Sequence, residues 1–522
     1  MKRATLAVLA MVLLVSLLVF ACAAPSVTKT ESPNSSFAPD KSAPPSDATP
    51  SPVDSPSPAP SLSQISDNVD QSKLNNFKIN LSLNAEKHSL SVEQTLTYHN
   101  NTNVKLSEIY FNLIPNAFKT DGGGIVINSI SSGESTLKLK QVKGTVYKLK
   151  LPADLSPDAS VKLDMNYTVN IPNIQNRFGY QGNVYNLGNF IITPAVYNSD
   201  GWAVEPYVDL GDAFYTDIAN YSVGIQAPEG YVVAATGVES EKGVYIANKV
   251  RDFAFCANPT FKTLESQEGR TTIKVYYGDD LLKTAQRLMD TAKKAYTLYS
   301  GIFGEYPYET LSVTCNGLTG GVSGMEYPTL IMISPEMAIE MLDEIGVDTS
   351  SQDEMVYYLN SIDRTVAHEI AHQWFYGIVG NDQIKHPWLD EGICRYAEYL
   401  YERVYYKDVT AETFYPMEDR LKDMNTMVVG KDKQFVKNTT DMNYTLYDWS
   451  EKDPMGYGEV YDKGASLFYE MQNMMGYHNF VSALKDYVNE FAFNFVTPEK
   501  FKGFWNSKGD FSELFDVYLK KM

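Results

Sequence analysis

The sequence predicts a multidomain protein: an N-terminal all-β sandwich over residues 70–265, then an α+β domain from 266 to the end of the 522-residue chain. Apolar residues recur at every second position through the first region, the signature of half-buried strands. After Tyr277 the recurrence changes to helical spacing, with two short apolar strand signals among the helices. Inside one of those helices stands His368-Glu369-Ile370-Ala371-His372, which gives the second domain its chemistry.

Two segments precede the sandwich. Met1 to Ala21 has a basic start at Lys2 and Arg3 and an apolar run from Leu6 to Phe20, the pattern of a secretory signal and short for a membrane span. The run ends in Val19-Phe20-Ala21-Cys22, which resembles the lipobox of bacterial lipoproteins. That resemblance implies export from the cytoplasm and anchoring to the outside of a bacterial cell membrane by acyl chains on Cys22. Residues 23–69 hold ten of the 25 prolines, set among Ser, Ala and Thr. Such a segment buries too little apolar surface to offset its ordering entropy, so a disordered spacer is expected. At ~3.1 Å per residue it would reach roughly 130 Å from the anchor. The formal charge of −20 argues against nucleic acid or an anionic membrane surface as the main partner. Beyond Cys22, the three cysteines Cys256, Cys315 and Cys394 allow at most one internal disulfide.

Within the sandwich, Phe77, Ile79, Leu81 and Leu83 alternate with polar residues, and Ala85-Glu86-Lys87-His88 breaks the run. Leu90, Val92, Leu96 and Tyr98 resume it, giving a hairpin with one buried face in which Gln94 is the one polar residue in the apolar phase. Similar alternation at 147–151, 161–169 and 221–225 predicts an antiparallel arrangement. In the second domain, Leu281 to Tyr296 form a helix ending near Gly301 to Gly304, and strands at 310–314 and 329–333 flank a Gly-rich turn. Helices are expected at 354–379, 389–405, 411–424, 463–476 and 479–491, with two short ones near the end.

Two histidines four apart on a helix lie one above the other, so His368 and His372 can take two corners of a tetrahedral zinc site. Glu369 lies on a neighbouring part of that face, where a carboxylate can act as general base toward a zinc-activated water. A third ligand is needed. Glu391, in Trp388-Leu389-Asp390-Glu391-Gly392, follows His372 by nineteen residues, room for one helix to end and another to begin after a turn through Gly380-Asn381-Asp382. The chain has six histidines, and two of them bracketing a glutamate in a helical pattern is a rare arrangement for a merely packed pair. The expected chemistry is that of a hydrolase with one Zn2+, although the same ligands would accept cobalt or manganese in vitro.

With Gln373-Trp374-Phe375 behind it, and with Gly380-Asn381-Asp382 and Trp388 to Gly392, this motif resembles that of the aminopeptidase N family of gluzincins. Gly324-Met325-Glu326-Tyr327-Pro328 is similar to the family's exopeptidase motif, Gly-x-Met-Glu-Asn. Val460-Tyr461-Asp462-Lys463-Gly464-Ala465 is similar to its Tyr-x-Lys-Gly element, and Gly509 to Leu519 to the end of its catalytic domain. The resemblance spans about 74–522 and is strongest from 302 to 475. It implies a thermolysin-like catalytic domain and an aminopeptidase acting on extracytoplasmic peptides with free N-termini. By the same resemblance His368, His372 and Glu391 bind zinc. Glu369 takes a proton from water and returns it to the leaving amine, and Tyr461 donates to the oxyanion. Glu326 binds the α-ammonium. Gly324 and Met325 belong to the backbone segment, from about Gly321, that aligns the substrate as an added strand. Asp390 and Glu398 either accept hydrogen bonds from ligand histidines or brace the helix.

Three departures qualify the likeness. Tyr327 stands where the family has asparagine. The family's second amine-anchoring Gln or Glu has no clear equivalent around Ile191 to Ala195, and Glu205 is the nearest guess. The chain stops where the catalytic domain stops, short of the helical C-terminal domain of larger relatives, so a more open cleft is expected. Two other readings therefore stand beside the aminopeptidase. One is a metallopeptidase of endopeptidase or relaxed specificity. The other is a surface lipoprotein that binds peptide or protein on this fold without turnover, against which Glu369 argues, since a binding protein has no use for the base.

Overall fold

A computed structural model describes residues 64–318, 322–334, 338–341, 351–407, 416–429 and 441–519. The expected secretory signal, Cys22 and the expected spacer as far as residue 63 lie outside the described residues, as do Gly321 and the first residues of the helix expected at 411–424.

The alternation in Asn75–Asn84 and Ser89–His99 yields two antiparallel strands with one buried face. They lie at the centre of an eight-stranded sheet, between Ala219–Gln226 on one side and Ser160–Asn170 on the other. Two four-stranded sheets share its apolar core, where Ile79 and Leu96 join Phe111, Leu149 and Phe255. One pairing departs from the antiparallel expectation: Asn75–Asn84 and Ala219–Gln226 run parallel, with the Phe77 and Tyr221 rings stacked 4.6 Å apart. Alternation fixes which face is buried but not the direction of the neighbouring strand. Gln94 keeps its place in the apolar phase because both ends of its amide are satisfied. Nε2 donates to the Ile192 carbonyl at 2.8 Å, and Oε1 accepts from the Tyr167 hydroxyl at 2.6 Å.

Both expected edges of the sandwich shift. The strand Lys262–Glu268 pairs with Thr271–Tyr277 in the second domain's sheet, so that sheet begins before residue 266. At the other end, the last residues of the expected spacer are packed. Gln64 bridges Glu305, Ile65 is buried, and the Ser66 amide donates to Asn489 Oδ1 at 2.9 Å. Long-range partners, which composition does not register, hold them.

The second domain's sheet runs Lys262–Glu268, Thr271–Tyr277, Thr310–Cys315, Leu330–Ile333, Gly324–Met325, parallel in its two central pairings and antiparallel at each edge. Its middle strand is buried throughout, as a strand covered on both faces must be. Among the described residues the helices are α1 (Leu282–Phe303), α2 (Gln352–Ala371), α3 (Trp388–Tyr405), α4 (Met417–Val429), α5 (Leu446–Lys452), α6 (Glu459–Met475), α7 (Tyr477–Phe491), α8 (Pro498–Lys508) and α9 (Ser512–Tyr518). The sequence pattern missed α5, whose seven residues are too few to show a period; a capping box between Thr445 and Asp448 starts it.

The helix expected to run to 379 stops at Ala371. The apolar run beyond it continues the helical pattern but forms a tight turn. Gly377 donates to the His372 carbonyl, Val379 to that of Trp374, and Tyr376 takes φ 106. Trp374 and Phe375 are apolar because they fill the core, not because they face it from a helix. The sandwich clamps this turn from behind. Buried Arg251 donates from Nε to the Tyr376 carbonyl at 2.7 Å and from Nη2 to that of Asn494 at 3.0 Å. Its guanidinium fills the space beside Gly380, where an added Cβ would lie 2.2 Å from Cζ.

Candidate active site

The last turn of α2 presents His368, Glu369 and His372, and the first turn of α3 presents Asp390 and Glu391. One ligand atom from each of His368, His372 and Glu391 lies within 4.8 Å of the others, and all three side chains are buried. Glu391 Oε2 is 3.1 Å from His368 Nε2 and 3.3 Å from His372 Nε2. Burial alone would raise the Glu391 carboxyl, but the hydrogen bonds of the two histidines together hold it well below the usual carboxylate range. For His368 burial opposes protonation, and Glu391 and Glu398 outweigh it, raising the ring to about 9.

Whether a cation suits these residues is decided by the other ring nitrogens. His368 Nδ1 faces Glu398 Oε1 at 2.9 Å, and His372 Nδ1 faces the Phe375 carbonyl at 3.0 Å. Both partners are acceptors, so each Nδ1 carries the proton. Once a ring gives up its second proton, Nε2 bares a lone pair, and the two Nε2 atoms stand 3.0 Å apart beside a carboxylate. Two such nitrogens and an anion converging in a buried space call for positive charge, which protons on the rings supply here and a cation held between them would supply in their place. Histidine and carboxylate are zinc donors, so the set fits zinc.

Two glycines place the next residue. A Cβ on Gly392 would lie 2.8 Å from Gly464 Cα, and one on Gly464 would lie 2.7 Å from Gly392 Cα, so α3 and α6 cross backbone against backbone. That crossing brings Tyr461, one turn before Gly464, to Glu391, and its hydroxyl donates to Glu391 Oε1 at 2.8 Å. Glu369 is buried with Oε2 unpartnered, and burial pushes its carboxyl up to about 8. Gly324 leaves room for it, since a Cβ there would lie 2.2 Å from Glu369 Oε1. Gly324–Met325 forms the edge of the sheet, paired with Ile333 and Met332.

Glu326 is buried beside this cluster, and burial, reinforced by the charge of Asp212, raises it to about 7. Gln383 Nε2 donates to Glu326 Oε1 at 3.4 Å and to Asp390 Oδ2 at 2.7 Å, while Asn381 Nδ2 donates to Asp390 Oδ1 at 2.8 Å. Asp390 thus holds the loop between α2 and α3, whereas Glu398 accepts from His368 and from Arg395 Nη1 at 2.7 Å. Glu205 forms an ion pair with Lys385 at 2.9 Å. The β-region carboxylate that interacts electrostatically with Glu326 is instead Asp212, ion-paired with buried Arg177. Sequence reasoning missed Arg177, Asp212 and Gln383. The first two are 35 residues apart and lie in no motif; Gln383 lies next to Gly380-Asn381-Asp382, the one signal that could have found it. Cys256, Cys315 and Cys394 are buried free thiols.

Fold and buried His-His-Glu set are those expected of a gluzincin-type metallopeptidase. Residues 287–518 match the Peptidase family M1 domain, from α1 to α9. Aminopeptidase M1-C of Oryza sativa subsp. japonica is 26% identical over 184 residues, covering 33% of this chain and 20% of that protein. Human Aminopeptidase Q is 25% identical over 154 residues, covering 30% and 15%. The matched stretch is thus about a fifth or less of these relatives' length. A crystal structure of a mutant M1 zinc metallopeptidase from Deinococcus radiodurans shares the fold with a TM-score of 0.57 at 17% identity, over 88% of this chain and 96% of that one. Domain match, relatives and motifs together support an aminopeptidase N family gluzincin, with residues 287–518 as the part that matches the Peptidase family M1 domain.

Proposed function

We propose that the protein is a zinc-dependent aminopeptidase that removes N-terminal residues from peptides. The observation that carries this reading is Glu326: a buried carboxylate beside the metal cluster that forms no ion pair with a lysine or arginine among the described residues. A buried anion without a counter-ion is costly, and the α-ammonium of a peptide is a cation of the right size and charge to complete it.

In this reading His368, His372 and Glu391 hold the ion, which supplies Lewis acidity for the scissile carbonyl and acidifies water at the site. Glu369 Oε2 receives the proton released as water attacks and delivers it to the departing amine nitrogen. Tyr461 turns its hydroxyl from Glu391 Oε1 to the oxygen on which negative charge develops. Glu326, with Asp212 adding negative potential, fixes the ammonium and so measures one residue from the chain end. Gly324 and Met325, at the sheet edge, lay the peptide alongside as an extra strand. Export and a lipid anchor at Cys22 belong to the same proposal. They are supported by the sequence pattern, and among the described residues no helix is long and apolar enough to cross a membrane.

The test is hydrolysis of matched peptides with free and N-acetylated termini, with and without chelator. Chelator-sensitive release of the first residue from free peptides alone is expected. Comparable cleavage of blocked peptides would overturn the aminopeptidase, and chelator-insensitive silence on both would favour a binding protein.

A further inference from the structure

We infer that Tyr327, Asn189 and Asp252 form a buried relay through which the β-rich region fixes Glu326, making them positioning residues for recognition of a free N-terminal amine. The inference rests on the aminopeptidase reading. Tyr327 follows Glu326 directly and is fully buried. Its hydroxyl donates to Asn189 Oδ1 at 2.6 Å, and Asn189 Nδ2 donates to Asp252 Oδ2 at 2.6 Å. The other oxygen of Asp252 accepts the Phe253 amide at 2.7 Å. Asn189 and Asp252 are buried as well, so each link is a hydrogen bond shielded from water.

The receiving turn is shaped for a tyrosine. A Cβ on Gly188 would lie 1.9 Å from the Tyr327 hydroxyl oxygen, so only glycine leaves space for the ring's end. Asn189 itself has φ 52, in the left-handed region that asparagine tolerates better than most residues. The same segment is held from its other side by Gln373, which follows the ligand His372. Gln373 Nε2 donates to the Glu326 and Tyr327 carbonyls at 3.4 and 3.2 Å, and Oε1 accepts the Thr329 amide at 2.7 Å. The peptide unit carrying Glu326 is therefore gripped by the metal-bearing segment on one side and by the sandwich on the other. An asparagine at 327, as in the family's motif, is too short to reach Asn189. In this chain a tyrosine supplies the length and Asn189 supplies the amide.

A carboxylate discriminates a free amine from a blocked one only while it is held at a fixed place, so loosening the relay should erode selectivity before chemistry. Tyr327→Phe removes one hydroxyl, and Asn189→Gly removes the amide while keeping a residue at ease with φ 52. Kinetics on matched free and N-acetylated peptides, with zinc content and Tm, are measured for the full protein and both variants. The expected result is retained zinc, a KM for free peptides raised roughly 10-fold with kcat within about 2-fold, and a lower ratio of kcat/KM for free over blocked substrate. The double variant should be no worse than the worse single one, because both cut the same chain. An unchanged ratio in both variants overturns the relay, and so does a kcat loss on every substrate that tracks a fall in Tm. A wild-type protein that itself cleaves both peptides alike overturns the aminopeptidase reading and the relay with it. Discrimination kept by wild type and variants alike overturns the relay alone.

Discussion

Gln94 in the sandwich and Glu369 at the end of α2 are both buried polar side chains, and the protein treats them in opposite ways. Gln94 has a partner at each end of its amide. Glu369 Oε2 has none, and the histidines on either side of it in sequence bring their Nε2 atoms within 3.0 Å of each other. Closed polar groups hold a fold together. Open ones cost on the order of 1–3 kcal/mol each, and they are sustainable where an ion, a water or a substrate amine completes them. What separates these two residues is thus not buried polarity but whether it is completed.

The contrast breaks most sharply at Glu369 itself. Glu369→Gln keeps shape and burial, so zinc content and Tm should hold while kcat falls by roughly 10²–10⁴-fold; full turnover in that variant would sink the mechanism. Next in size is Tyr461→Phe, expected to lower kcat by about 10²–10³-fold with little change in KM, as measured on a free-amine peptide. Glu398→Gln weakens the hold on His368 Nδ1 and should reduce zinc affinity by roughly 10–100-fold, read by competition with a chelator. In the proposed role Glu326 would bind an ammonium only when ionised, and its carboxyl is raised to about 7. KM for free-amine peptides should therefore rise as pH falls through about 7, and Glu326→Gln should flatten that profile at a high KM. The smallest effect tests the closed side of the contrast. Gln94→Ala strands the buried Tyr167 hydroxyl and should cost ~1–3 kcal/mol of stability in denaturant titration, with kcat/KM unchanged.

What could be seen in the sequence divides along the same line. The ligand histidines are four apart on one helix, so periodicity alone places them together. Glu391, Tyr461 and Glu326 come from other elements: spacing from His372 points to Glu391, and motif resemblance to Tyr461 and Glu326. Arg177, Asp212 and Asn189 were out of reach, because their partners are distant in sequence and neither period nor composition records a distant partner. The parallel pairing of Asn75–Asn84 with Ala219–Gln226 escaped for the same reason. The helix expected to run to 379 is a different error: residues 374–379 are apolar because the turn is buried, and burial imitates helical pattern when both belong to one core.

The crossing at Gly392 and Gly464 has a mechanical consequence. Side chains at a helix contact swap rotamers and let the helices slide, but two α-carbons in contact have no such freedom. Glu391 and Tyr461 each sit within one turn of that joint, so they should move as parts of a single rigid body. Thermal motion that opens the cleft would then shift the sheet edge and Glu326 against this body, leaving the spacing between Glu391 and Tyr461 as it was.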